Sequence, residues 1–164
     1  MRQLVNYLVA VIMLLSCEKN DIKYNADEYM DKVKSETYSD MFLPDLEPQD
    51  ISSLLKYRDD KTILKKFPTN PISSLIGDSV TVGIIALWTI ESIRISELNG
   101  DTSAYKRFPS LNAKILDTNS IYTNKFSLQD SVARRYYNWW CQTDLSQVEK
   151  LQINPLQGSR FVWR

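Results

Sequence analysis

Histidine is absent from the 164-residue chain. Its absence excludes Ser-His-Asp and Cys-His catalysis, the common zinc sites and any imidazole pH switch. Glycine is scarce too: Gly77, Gly83, Gly100 and Gly158 are the whole supply. No phosphate-cradling loop and no dinucleotide fingerprint can be built from glycines so placed. Neither sign of charge is in excess, since 20 Lys and Arg stand against 20 Asp and Glu. Without a basic surplus, nothing points to nucleic acid or to anionic lipid as a partner. Carboxylates, hydroxyls, Lys, Arg and Tyr are left to carry any chemistry. No cofactor and no metal is expected, and no catalytic residue is assigned.

A hydrophobic run long enough to span a bilayer is also lacking. The apolar stretch at 4–15, interrupted by Asn6, falls short of the roughly 20 residues a spanning helix needs. It follows Met1-Arg2-Gln3, with one positive charge, and ends at Ser16-Cys17 before the polar Glu18-Lys19-Asn20-Asp21. A charged start, an apolar middle and a small residue before the cut form the pattern of a secretory signal. Leu14-Leu15-Ser16-Cys17 resembles the lipobox of bacterial lipoproteins, although Leu15 stands where a smaller residue is usual. In that family the cysteine takes a diacylglyceryl group and the peptide is cut before it, so the resemblance implies lipidation of Cys17. Each buried methylene contributes about 0.8 kcal/mol, so one acyl chain holds weakly and two hold stably. The expected organisation is a signal at 1–16, a lipidated cysteine and tether at 17–24, and a single globular domain at 25–164. The lipid bilayer is then a partner through the acyl chains on Cys17.

Removal of the signal leaves about 148 residues with a net charge near −1, Arg2 being the only charged residue lost. That is one domain by length, long enough to bury roughly two thirds of its unfolded surface. With Cys17 lipidated, Cys141 has no partner for an intrachain disulfide. Its place after Trp139-Trp140 on an expected helix reads as a buried, inert thiol.

Along the domain, 26–36 reads as a helix with Tyr29, Met30 and Val33 on its apolar face. Segment 49–57 reads as a short helix behind Pro48, with Ile51, Leu54 and Leu55 at i, i+3 and i+4. A turn at 58–61 precedes a second short amphipathic piece at 62–67 and a rigid loop at 67–71 held by two prolines. The strongest element is 78–98, apolar nearly all round, which marks a central core helix about 30 Å long. Asn99-Gly100 ends it. Residues 113–116 and 120–122 flank a turn and read as a small hairpin. Ser127 starts a helix running to about 142, with Val132, Tyr136, Trp139 and Trp140 as its stripe. A further short helix at 144–151 and a closing strand at 160–163 complete the chain. The fold class is mainly α: one compact helical domain around a central apolar helix, with a small β-hairpin or closing strand.

Several of these strings resemble a family of small, uncharacterised Bacteroidetes lipoproteins of about 160 residues. They are the Cys17 start, Phe67-Pro68-Thr69-Asn70-Pro71-Ile72-Ser73-Ser74, Leu87-Trp88-Thr89-Ile90-Glu91-Ser92-Ile93-Arg94, residues 136–140 and the tail 154–164. The resemblance implies an exported outer-membrane protein on the periplasmic or cell-surface face, and no reaction.

Glu91 and Arg94, three residues apart on the most apolar helix, are the leading polar pair. Burying either charge alone costs several kcal/mol, so the two pair with each other or face a cleft. A structural ion pair is the plain reading; a ligand-binding carboxylate with an orienting arginine is the functional one. Tyr137, Trp139, Trp140 and Trp163 are the candidate ring contacts for a ligand, against the plain reading of core packing. Arg134 and Arg135 read as a solvated helix face. The expected function is a non-enzymatic envelope lipoprotein that binds an envelope protein or a glycan. The alternatives are a carboxylate hydrolase acting on glycans through Glu91, which requires a second acid about 5–9 Å away across a cleft, and a protein that neutralises a toxin in the envelope.

Overall fold

The structure is a computed structural model that describes residues 24–40, 43–65, 80–100, 115–117 and 126–163. The signal, the lipidation motif, the 67–71 loop and the segment 120–122 lie outside the described residues.

The chain is organised around one helix, α3 (Val82–Asn99). Every residue from Val82 to Arg94 is buried, as expected of a helix apolar on nearly every face. The Thr81 hydroxyl caps its start by accepting from the Ile84 N–H at 3.3 Å. Gly100, in the left-handed region at φ 63°, ends it and donates its N–H to the Ser96 carbonyl at 3.0 Å. Only glycine adopts that conformation without steric cost.

Helix α1 (Ala26–Lys34) starts in a reciprocal cap, with Asn25 accepting from the Glu28 N–H and Glu28 accepting from the Asn25 N–H. It stops before the expected residue 36, because Glu36 turns to φ 57° and the next two N–H groups fold back onto the Lys32 carbonyl. Ala26, Tyr29, Met30 and Val33 form its buried face. Next comes a continuous helical stretch: a 3-10 turn at Pro48–Asp50, α2 (Ile51–Leu54) and a second 3-10 turn at Leu55–Tyr57. It buries Ile51, Leu54 and Leu55 against α3.

The amphipathic piece at 62–67 corrects to a strand. β1 (Ile63–Leu64) pairs antiparallel with β2 (Val80–Thr81), which leads directly into α3. Asp60 sets this geometry, since its carboxylate accepts from the Thr62 N–H at 2.8 Å while its carbonyl accepts from the Gly83 N–H at 2.9 Å. Gly83 is required by close approach: a Cβ there would stand 2.5 Å from the Arg58 carbonyl oxygen and 2.9 Å from that of Asp60. A short apolar run has no periodicity that separates helix from strand, and pairing with β2 decides its state.

The expected hairpin also changes partner. β3 (Ile115–Asp117) forms, but it pairs antiparallel with β4 (Phe161–Trp163) near the chain's end, Ile115 lying opposite Trp163. Between them run α4 (Phe126–Trp140) and α5 (Gln147–Gln152), the latter begun by a cap between Ser146 and Glu149. Helices α1, α2, α4 and α5 all pack on α3. The domain is mainly α around a central apolar helix, with β restricted to two short antiparallel pairs among the described residues. No helix among the described residues is long and apolar enough to cross a membrane.

Candidate functional site

Glu91 and Arg94 project from the same side of α3, one turn apart, and both are enclosed at 4% and 6% exposure. The Arg94 fork donates Nη2–H to Oε1 at 2.6 Å and Nε–H to Oε2 at 3.0 Å. The Tyr136 hydroxyl donates to the same Oε2 at 2.6 Å, and accepts from the Trp163 indole N–H at 2.6 Å. The remaining Arg94 nitrogen, Nη1, reaches the Leu151 carbonyl at 3.5 Å. One polar cluster therefore ties α3, α4, α5 and β4 together.

Burial, and then the neighbouring carboxylate, push the Tyr136 hydroxyl well above the ordinary tyrosine value. Its proton stays on and is donated to Glu91. Burial pulls Arg94 down, but the Glu91 carboxylate more than restores it, so the guanidinium stays charged. Both Glu91 oxygens are engaged and shut from solvent. A hydrolytic acid needs an open cleft and a second carboxyl across it; what Glu91 faces is Arg94 and Tyr136. No group of His, Cys, Asp or Glu fit to hold a metal is found among the described residues.

The four candidate rings separate. Trp139 is buried at 3% exposure and donates its indole N–H to the Lys150 carbonyl at 2.7 Å. Trp140 is half-buried and donates to the Ser52 hydroxyl at 2.8 Å. Trp163 is half-buried in the Glu91 cluster. Only Tyr137 is exposed, at 44%, with the Arg58 guanidinium 4.5 Å above its ring. The rings do connect internally. Trp140, Trp139, Tyr136, Trp163 and Trp88 follow one another with centroids 5.2, 5.9, 6.3 and 5.4 Å apart. That is a ladder of tilted and edge-to-face contacts through the interior, not one outward patch. Cys141, expected to be buried, is exposed: α4 ends at Trp140, and the next residue turns off the helix.

Two buried polar residues escaped the sequence reading. Tyr136 falls in the apolar stripe of its helix, yet its hydroxyl is the hub of the cluster. Gln129, at 2% exposure, accepts from the Thr81 hydroxyl at 2.7 Å and donates to the Arg58 and Asp60 carbonyls at 3.0 and 3.1 Å. A signal was present: Gln129, Val132 and Tyr136 stand at i, i+3 and i+7, one face of a helix.

On the outer side of α4 lies an open groove of about 990 Å³, walled by α4 and by the turn that leads into β4. Arg134 and Arg135 come from the helix and Arg160 from the turn, with Asn138, Gln142 and Gln157 between them. A smaller groove of about 310 Å³, lined by Arg58, Asp59 and Tyr137, shares Asp130 and Arg134 with the first.

Fold and site together define a small, mainly α domain pinned by an enclosed ion pair and carrying an open groove rich in arginine. The chain belongs to a family described as a domain of unknown function (DUF4943), whose model matches residues 20–164. No curated protein and no solved structure matches it.

Proposed function

We propose that the protein is a cell-envelope lipoprotein, anchored by acyl chains on Cys17, whose domain is a binding module working through the groove on α4. The secretory pattern at 1–16 and the lipobox-like Leu14-Leu15-Ser16-Cys17 support the anchor, and the family match begins just beyond it. The resemblance to small Bacteroidetes lipoproteins supports the outer membrane as its place. One observation carries the binding reading. The acid best suited to chemistry, Glu91, is sealed at 4% exposure, whereas Arg134 and Arg135 stand on an open groove wall.

Metabolic labelling with a palmitate analogue tests the anchor. The parent protein takes up the label and fractionates with membranes; Cys17→Ser loses both. A Cys17→Ser protein that is still lipid-labelled sinks the anchor. A photo-crosslinking side chain at Asn138 tests the module: a discrete adduct forms in cells there, and none forms from Lys56 near α1. Identical behaviour at the two positions removes the groove from the account.

A further inference from the structure

We propose that the α4 groove is a docking site for an acidic, extended peptide segment of a partner protein. This deepens the binding-module reading and rests on it.

Charge is the first ground. The chain as a whole is neutral, yet three of its arginines, Arg134, Arg135 and Arg160, meet on this one surface. Neither Arg134 nor Arg135 makes an ion pair or side-chain hydrogen bond with another described residue. Asp130, the acid on the groove wall, is already paired with Lys61. Arg134 and Arg135 thus bring positive charge to the groove that no ion pair among the described residues offsets. Guanidinium groups are planar forks that take a carboxylate through two parallel hydrogen bonds, so an acidic ligand fits them better than a neutral one.

The second ground separates peptide from sugar. Exposed carboxamides at Asn138, Gln142 and Gln157 line the same groove. Each offers a donor and an acceptor side by side, the complement of one backbone peptide unit. Sugars are held by stacking on open ring faces; the rings lining the larger groove, Trp139 and Phe161, are closed at 3% and 6% exposure, and the exposed Tyr137 of the smaller groove has one face covered by the Arg58 guanidinium. The third ground is shape. The smaller groove continues from Arg134 past Tyr137 to Arg58, making an elongated track. Between Asp130 and Asn138 the helix rises about 12 Å. An extended strand at roughly 3.3 Å per residue covers that with about four residues, and the ends of both grooves add room for a few more.

The test is fluorescence anisotropy with the full chain in detergent. The probe is a labelled, end-blocked peptide of about eight residues in which Glu and Ala alternate. It binds; the same peptide with Gln for Glu binds at least about tenfold more weakly. The pair Arg134→Gln and Arg135→Gln weakens binding at least about tenfold as well, with a nearly unchanged thermal midpoint, because Arg134 is exposed, Arg135 is half-buried and neither is ion-paired to a described residue. Raising salt from about 50 mM to about 500 mM weakens the parent further. Equal binding of the Gln peptide overturns the proposal, as does a double variant that binds like the parent. So does an oligogalacturonate that binds more tightly than the Glu peptide, which would make the ligand an acidic sugar. A crosslinked adduct at Asn138 together with no peptide binding removes the ligand class and leaves the binding module standing.

Discussion

Glu91→Gln isolates what the enclosed ion pair does. The substitution keeps the size of the side chain and most of its hydrogen-bonding capacity, and removes only the charge. Arg94 then stays 6% exposed with no counter-ion. Its guanidinium does not give up its proton, so the cost is not relieved by neutralisation. Removing one partner of a buried pair costs about 3–5 kcal/mol. A domain of this kind has about 5–15 kcal/mol in all, so the variant approaches the threshold of folding. At about 2–4 °C per kcal/mol, the thermal midpoint falls by about 6–20 °C. Replacing both partners by apolar side chains, Glu91→Leu with Arg94→Met, is the informative contrast. It leaves no charge stranded; it deprives the Tyr136 hydroxyl of its acceptor and the Leu151 carbonyl of a long contact from Arg94, a loss of about 1–3 kcal/mol. The double variant is therefore more stable than Glu91→Gln alone. Urea unfolding of the three proteins, followed by far-ultraviolet circular dichroism, measures the order. A Glu91→Gln protein within about 1 kcal/mol of the parent refutes the reasoning. A double variant no more stable than Glu91→Gln does so as well. The folded fraction of Glu91→Gln still binds the acidic peptide, since the pair is not part of the groove.

Alkaline pH supplies a second handle. Burial holds the Tyr29, Tyr38 and Tyr136 hydroxyls above the ordinary value of 10.0. The unfolded chain releases these protons near that value and the folded chain does not. The stability they contribute is thus complete below about pH 10 and is lost as pH rises beyond it. Tyrosinate absorbance followed together with circular dichroism shows these three ionising only as helicity is lost; smooth ionisation of all nine tyrosines in the folded state contradicts this. Gly83→Ala drives a methyl into the Arg58 and Asp60 carbonyls, at 2.5 and 2.9 Å. It destabilises by about 1–3 kcal/mol in urea unfolding, whereas a cost near zero shows that β1 can shift to make room.

The helices were legible wherever an apolar stripe ran long enough to fix a period. The central helix is the clearest case: its continuous apolar character predicted burial on all sides, and every residue from Val82 to Arg94 is buried. Gly100 marked its end because few other residues take the conformation found there. What failed was non-local. Residues 63–64 carry too few side chains to show a period, and their state is decided by Val80–Thr81 across the β1–β2 pair. β3 was found as a strand near its true place, but its partner β4 lies over forty residues further along the chain, beyond any turn signal. The pairing of Glu91 with Arg94 followed from helical spacing alone. The arrival of Tyr136 and Trp163 did not, since it depends on how α4 and β4 pack. Arg134 and Arg135 looked like a solvated face, and only the turn carrying Arg160 makes them one wall of a groove.

The β3–β4 pairing has a consequence for how the molecule is made. Trp163, on β4, supplies the N–H that caps the Tyr136 hydroxyl and a ring that leans on Trp88. A polypeptide made from its amino end can assemble α1 to α3 early, but it cannot close the cluster around Glu91 until β4 has been made as well. Glu91 and Arg94 therefore reach their full set of partners only once β4 has joined α3 and α4, which makes the ion pair a late contact rather than a seed for the fold.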